Sequence, residues 1–346
     1  MAIKNIELDG TSHEIGCKAV NVDYNNTNVK SVLDSLIQHS GGLPNGKVEL
    51  RILFIGNSLT QDAVAYLPLV LNEFKDYIDY KIYLWYNGGK TLSQLYTIFT
   101  NNTKAEIFSV CENAVTWTNY ANTVTMADVL STYTDFNIVS LQEYFNYKRS
   151  TGYTNEDKAA FNNIVSYISA RHEGDFDVYS YWHRPLSVAD GNYSDLEVAE
   201  QVFNLTKSGI EWQLGTTNGV KNTASIGIIP CGVAAYRAMA VPMLDALGSA
   251  GHASADGTHA QEGLPCLMQA WVLGQWVFDT LGVPFDEGNS MIRCTSQMIT
   301  TLNVPGGNGS MIAGTEEENQ AARSVASNAY REGEYIEVNA LNNVVV

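Results

Sequence analysis

The sequence predicts an α/β protein, a doubly wound, mainly parallel sheet flanked by helices, preceded by a small N-terminal hairpin-plus-helix module. Three observations carry that expectation. From Lys47 onward, apolar runs of strand length alternate with stretches of helical period, and each run closes on a polar or glycine-bearing end. The first run, Ile52 to Ile55, is apolar throughout rather than alternating, as a strand covered on both faces must be. In sheets of this class ligands bind outside the carboxyl ends of the strands, so the residues that follow each run are the first candidates for chemistry.

Residues 1–45 have a different character. Ile6-Glu7-Leu8 and Ile15 to Val20 are short strand-like runs, and Asp9-Gly10 between them signals a tight turn, which together predict a small hairpin. Asn25-Asn26-Thr27-Asn28 then leads into a helix whose apolar residues Val29, Val32, Leu33, Leu36 and Ile37 form one stripe, ending at Gly41-Gly42. A stripe this small needs a partner, either the main domain or copies of itself in a homo-oligomer. Gly41 to Gly46, with Pro44 inside it, reads as a linker. The chain therefore divides into an attachment or oligomerisation module (1–45), an α/β domain (46–285) and a C-terminal extension (286–346) expected to pack on that domain.

Within the α/β domain the second strand is expected over Tyr80 to Trp85, ending at Asn87-Gly88-Gly89, and the third over Asn137 to Leu141, ending at Gln142-Glu143-Tyr144. Ile107 to Trp117 reads as an inserted hairpin and Met126 to Tyr133 as a helix. A helix from Asn155 to Arg171 carries Phe161, Ile164, Val165 and Ile168 on one face, with Thr154 and Asp157 placed as a capping box. The fourth strand, Phe176 to Trp182, ends at His183-Arg184-Pro185, and the fifth, Ser225 to Ile229, ends at Pro230-Cys231-Gly232 before another helix. A last helix of the domain runs from about Pro265 to Phe278.

Composition narrows the function classes. A formal net charge of −17 repels phosphate backbones and anionic headgroups, which excludes nucleic acid and a membrane surface as partners and favours neutral substrates. The five cysteines, Cys17, Cys111, Cys231, Cys266 and Cys294, are scattered without a C-x-x-C pair, so neither a disulfide framework nor a structural metal is expected. The N-terminus lacks the apolar core of a secretory signal and no segment has the length and apolarity of a membrane span, leaving a cytoplasmic or virion-associated chain.

Two stretches can carry chemistry. In Phe54-Ile55-Gly56-Asn57-Ser58-Leu59, a strand ends at Gly56 and a helical pattern begins at once, with Val64, Leu67, Val70, Leu71 and Phe74 at helical spacing. Ser58 there is either a nucleophile held at the carboxyl edge of the sheet or an ordinary helix cap. Far downstream, Asp256-Gly257-Thr258-His259 places a carboxylate where it can orient a histidine, although many such spacings are loop features. His252 lies near the same aspartate. His183 and Arg184 close a strand on the expected active edge, where substrate contact competes with structural pairing. Tyr86, Tyr144 and Trp182 also sit at strand ends, where stacking on a sugar competes with core or rim packing.

The ordered set, a strand-end serine, a glycine pair at the next strand end and a late Asp-x-x-His, resembles the SGNH/GDSL-type hydrolases over roughly residues 48–280. The resemblance implies Ser58 as nucleophile, His259 as general base and Asp256 as its orienting partner. It implies an oxyanion hole made by the N–H groups of Ser58 and Gly89, Gly88 being the competing glycine. The third motif departs from the family: where members usually carry Gly-x-Asn-Asp, this chain has Ser140-Leu141-Gln142-Glu143, and Gln142 would offer its amide on a longer arm. The implied activity is ester hydrolysis through an acyl-enzyme, most naturally of O-acetyl groups on a small molecule or glycan, without metal or organic cofactor. Residues 22–36 loosely resemble the extended-segment-then-helix modules near the starts of phage tail and appendage proteins. A phage appendage or glycan-binding protein that keeps the fold without turnover is therefore the competing class.

Overall fold

The computed structural model describes residues 5–8, 11–14, 47–144, 155–183, 223–281, 294 and 310–343. At the N-terminus β1 (Asn5–Leu8) and β2 (Thr11–Glu14) form an antiparallel hairpin in which Leu8 faces Thr11. The partner of β1 thus begins at Thr11, ahead of the apolar run Ile15 to Val20, which lies outside the described residues. The expected helix with the Val29 to Ile37 stripe and its linker lie outside the described residues, as does Thr154 of the expected capping box.

The remaining strands build one seven-stranded sheet. They are β3 (Val48–Gly56), β4 (Ile78–Tyr86), β5 (Ile107–Glu112), β6 (Thr118–Ala121), β7 (Ile138–Leu141), β8 (Phe176–Tyr181) and β9 (Thr223–Ile229). Their order across the sheet is β6-β5-β4-β3-β7-β8-β9. Parallel pairings join β4, β3, β7, β8 and β9, whereas β5 and β6 pair antiparallel, so the sheet is mixed. The stretch expected as an inserted hairpin, Ile107 to Trp117, holds only β5 and the turn after it; the second strand, β6, follows at Thr118, and the pair lies along the outer side of β4.

Helices flank both faces, in the α/β manner. Leu50, Ile52 and Phe54 of β3 face one core, built with α1 (Ser58–Val64), α2 (Leu67–Asn72), α6 (Cys231–Ala238), α7 (Pro242–Asp245), α8 (Leu264–Thr280) and α9 (Glu316–Asn343). Leu53 and Ile55 face a second core, built with α3 (Leu92–Thr100), α4 (Met126–Thr132) and α5 (Asn155–Ser169). Period-two alternation along a fully apolar strand thus serves two cores at once. Capping boxes start three of the helices: Thr91 with Gln94, Thr125 with Asp128, and Thr315 with Glu318. Helix α8 is buried almost all round, which is why its sequence shows no polar stripe. A Cβ at its Gly274 would stand 2.7 Å from Val70 Cγ1, so glycine permits the close crossing of α8 over α2. From the C-terminal extension, Ala322, Ala326 and Ala329 of α9 enter the same core as α8.

This arrangement fixes the place of the site. Because β3, β4, β7, β8 and β9 run the same way, the segments starting at Asn57, Asn87, Gln142, Trp182 and Pro230 emerge along one edge.

Candidate active site

The turn after β3 is built around Asn57. Its extended backbone (φ −128°, ψ −160°) and its side-chain oxygen, which accepts the Leu59 N–H at 3.0 Å, make Asn57 the cap of α1. Ser58 is therefore relieved of capping. A Cβ at Gly56 would stand 2.2 Å from Thr60 Oγ1 and 2.9 Å from Gln142 Oε1, so only glycine lets the strand turn this tightly against its neighbours.

The histidine arrives on a closed loop. Ser254 and Ala260 form an antiparallel bridge, and Gly257 takes φ +88° at the tip, a backbone region that favours glycine. Ser254 Oγ donates to the His259 carbonyl at 2.7 Å and accepts the Gly257 N–H at 2.8 Å. Asp256 Oδ1 accepts the N–H groups of Thr258 and His259, both at 2.8 Å, while its Oδ2 lies 2.7 Å from His259 Nδ1. A carboxylate can only accept, so the ring proton belongs on Nδ1 and Nε2 is left as the basic nitrogen. That Nε2 stands 2.7 Å from Ser58 Oγ. Burial works against the ionised form of Asp256, but the His259 and Thr258 hydrogen bonds outweigh it and hold the carboxyl below the usual carboxylate range. Ser58, His259 and Asp256 thus form one uninterrupted hydrogen-bonded chain.

The other residues read from the sequence divide around that chain. The N–H of Gly88 donates to Glu106 Oε2 at 2.9 Å, whereas Gly89 takes φ +60°, and its N–H has no hydrogen-bond partner among the described residues. Asn57 Nδ2 donates to the Lys90 carbonyl at 3.3 Å, which ties the glycine turn to the serine turn. Gln142 is fully buried. Its Oε1 accepts the Asn57 N–H at 3.2 Å and the Thr60 hydroxyl at 2.6 Å, and its Nε2 donates to the Glu143 carbonyl at 3.2 Å. His252 belongs elsewhere, its Nδ1 lying 2.7 Å from Asp245 Oδ1. His183 and Trp182 are fully buried, Tyr86 and Tyr144 are half-buried, and Arg184 lies outside the described residues. A cavity of about 400 Å³ between α3 and α5 includes none of Ser58, Asp256 and His259.

Sequence reading missed Asn57 and Glu106. Asparagine ahead of a helical pattern is the cap signal that would have found the first. The second had no local signal, because its partner Gly88 lies on another strand's end.

No family model matches the chain, and no curated protein matches it. Among solved structures the chain is similar to the crystal structure of a DUF4886 family protein from Bacteroides uniformis, with a TM-score of 0.55 and 19% sequence identity. The match covers 81% of this chain and 94% of that one. At that identity the likeness speaks for the fold alone.

Proposed function

We propose that this chain is a serine ester hydrolase of SGNH type, on a doubly wound, mainly parallel, flavodoxin-like sheet. The observation that carries the reading is the chain Asp256–His259–Ser58, with 2.7 Å at each link, at the carboxyl edge of the sheet. His259 Nε2 takes the Ser58 proton as Oγ attacks the ester carbonyl, and Asp256 stabilises the resulting imidazolium. The same proton then goes to the leaving alcohol. Water, deprotonated by His259, attacks the acyl-enzyme and restores Ser58. Negative charge on the carbonyl oxygen is met by the Ser58 and Gly89 N–H groups. Gln142 is the proposed third donor, through the Nε2 hydrogen not directed at Glu143. Each well-placed donor contributes about 3 kcal/mol to the transition state.

The substrate class follows from charge and surface. The acidic chain disfavours anionic lipid surfaces, and no helix among the described residues is long and apolar enough to cross a membrane. Esters borne by a neutral small molecule or a glycan, O-acetyl groups foremost, fit best. The test is hydrolysis of p-nitrophenyl acetate and release of acetate from acetylated oligosaccharides by wild type and Ser58→Ala. Release by the wild type alone supports the reading, and no release by either leaves the fold to a binding protein without turnover.

A further inference from the structure

Ser58, Asp62 and Tyr66 follow one another at four-residue spacing. Ala65 (φ −59°) and Tyr66 (φ −95°, ψ −12°) keep α-helical backbone beyond the end of α1, so the three share one face of a nearly continuous helical path. That face meets the segment 259–263 residue by residue. Ser58 Oγ lies 2.7 Å from His259 Nε2, and Asp62 Oδ2 accepts the Ala260 N–H at 2.7 Å. The Tyr66 hydroxyl donates to Glu262 Oε2 at 2.5 Å and accepts the Gly263 N–H at 2.9 Å. Asp62 is 3% exposed, Glu262 3% and Tyr66 0%, so neither salt nor water weakens these bonds much. The far side of the segment is held too: Ile312 donates its N–H to the Glu262 carbonyl at 2.8 Å and accepts from Leu264 at 3.0 Å.

We propose that Asp62 and Tyr66 are positioning residues, which hold the histidine-bearing loop in register on the helix that carries the nucleophile. The inference rests on the hydrolase reading above. Hydrogen bonds within the loop fix the shape of the turn around His259, but they do not fix its height above Ser58. The Asp62 bond does, because Ala260 is the residue next to His259. Tyr66 anchors the segment farther along and tolerates more adjustment. A displacement of about 1 Å between reacting groups can cost a hundredfold in rate, so the two anchors matter to turnover beyond their part in stability.

The experiment compares Asp62→Ala, Asp62→Asn and Tyr66→Phe in the full chain, each below its own unfolding temperature. Two quantities are read: kcat and KM for p-nitrophenyl acetate, and the rate at which a fluorophosphonate labels Ser58. Asp62→Ala should lower kcat and the labelling rate together by about ten- to a hundredfold with KM nearly unchanged. Asp62→Asn keeps an oxygen to accept the Ala260 N–H and should recover most of that loss, and Tyr66→Phe should lose less than about tenfold. Wild-type turnover in folded Asp62→Ala overturns the inference while the hydrolase reading stands. Should that variant not fold, a loss of about ten- to a hundredfold in folded Asp62→Asn, or a change confined to KM in Tyr66→Phe, overturns it instead. A wild-type protein that neither hydrolyses ester nor takes the label overturns the hydrolase reading and the inference with it.

Discussion

At the amino edge of the sheet, Arg51 divides its charge among several partners: Asp79 Oδ2 at 3.2 Å, Asp135 Oδ2 at 3.6 Å and Glu49 at 3.7 Å, with the Asp79 carbonyl at 2.7 Å. Lys81 beside it reaches Glu112 at 3.5 Å and Asp135 at 3.8 Å. At the carboxyl edge, Asn57, Thr60, Asp62 and Gln142 are buried, and their hydrogen bonds join the serine turn to β7 and to the histidine loop. The first arrangement is redundant and wet. Removing one partner leaves others and water, so the effect is small. In the second, each bond is buried, and a lost partner leaves a polar group without its hydrogen bond at a cost of about 1–3 kcal/mol. The proposed placement of Ser58 against His259 depends on the second kind.

The comparison is sharpest at Ser58, the proposed nucleophile. Ser58→Ala and His259→Ala should each lower kcat for p-nitrophenyl acetate by about ten-thousandfold or more while the unfolding temperature stays near wild type, because members of such a chain act as a unit. Near-wild-type hydrolysis by either folded variant would remove the assignment. Gln142 comes next. Gln142→Ala should lower kcat about ten- to a thousandfold with little change in KM. Gln142→Glu separates two roles, since it keeps oxygens for Asn57 and Thr60 but removes the amide donor. Activity preserved in Gln142→Glu would make Gln142 a buttress of the serine turn rather than an oxyanion donor.

What could be read from sequence follows the same division. Ser58, Asp256 and His259 were legible because their signals are local: a glycine ending an apolar run, then a serine, and an aspartate three residues before a histidine. The ends of β4, β7, β8 and β9 were legible to within about two residues for the same reason, whereas β3 begins at Val48, four residues ahead of the apolar run at Ile52. The strand that pairs with β1, Thr11–Glu14, was not legible because it is less apolar than the run that follows it. Pairing direction at β5 was not legible, since an apolar run does not say which neighbour it meets. Nor was the role of Asp62, whose partner Ala260 lies 198 residues away and is a backbone N–H that any residue could supply.

One residue at the amino edge departs from the redundant pattern. His172 is 4% exposed, its ring stacked on Phe136 at 4.0 Å, and its Nδ1 has no hydrogen-bond partner among the described residues. Burial holds its pKa below the ordinary histidine value, against a smaller opposing effect from the Phe136 backbone. The unfolded chain then binds the proton more readily than the folded one. The contribution of His172 to stability is therefore complete above the unfolded value of about 6.5 and declines as pH falls from there through the lower folded value. Urea unfolding at a series of pH values should show this decline in wild type and a flatter profile in His172→Phe. An unchanged slope would place the pH dependence elsewhere.

The smallest effect is expected from Lys81. Its partners Glu112 and Asp135 have side chains 56% and 44% exposed, and its ammonium also lies 5.5 Å from the Tyr83 ring centre. Asp135 is held in place without it, since Oδ1 accepts the Tyr83 hydroxyl at 2.6 Å and Arg51 Nε lies 3.6 Å from Oδ2. Lys81→Met should change unfolding free energy by less than about 1 kcal/mol and leave kcat at the wild-type value. The double-mutant cycle with Asp135→Asn measures the pair directly, and its coupling should fall below about 0.5 kcal/mol and shrink further in high salt. A salt-independent coupling of about 2 kcal/mol or more would show that Lys81 and Asp135 depend on one another as Asp62 and the histidine loop do, and the contrast between the two edges would no longer hold.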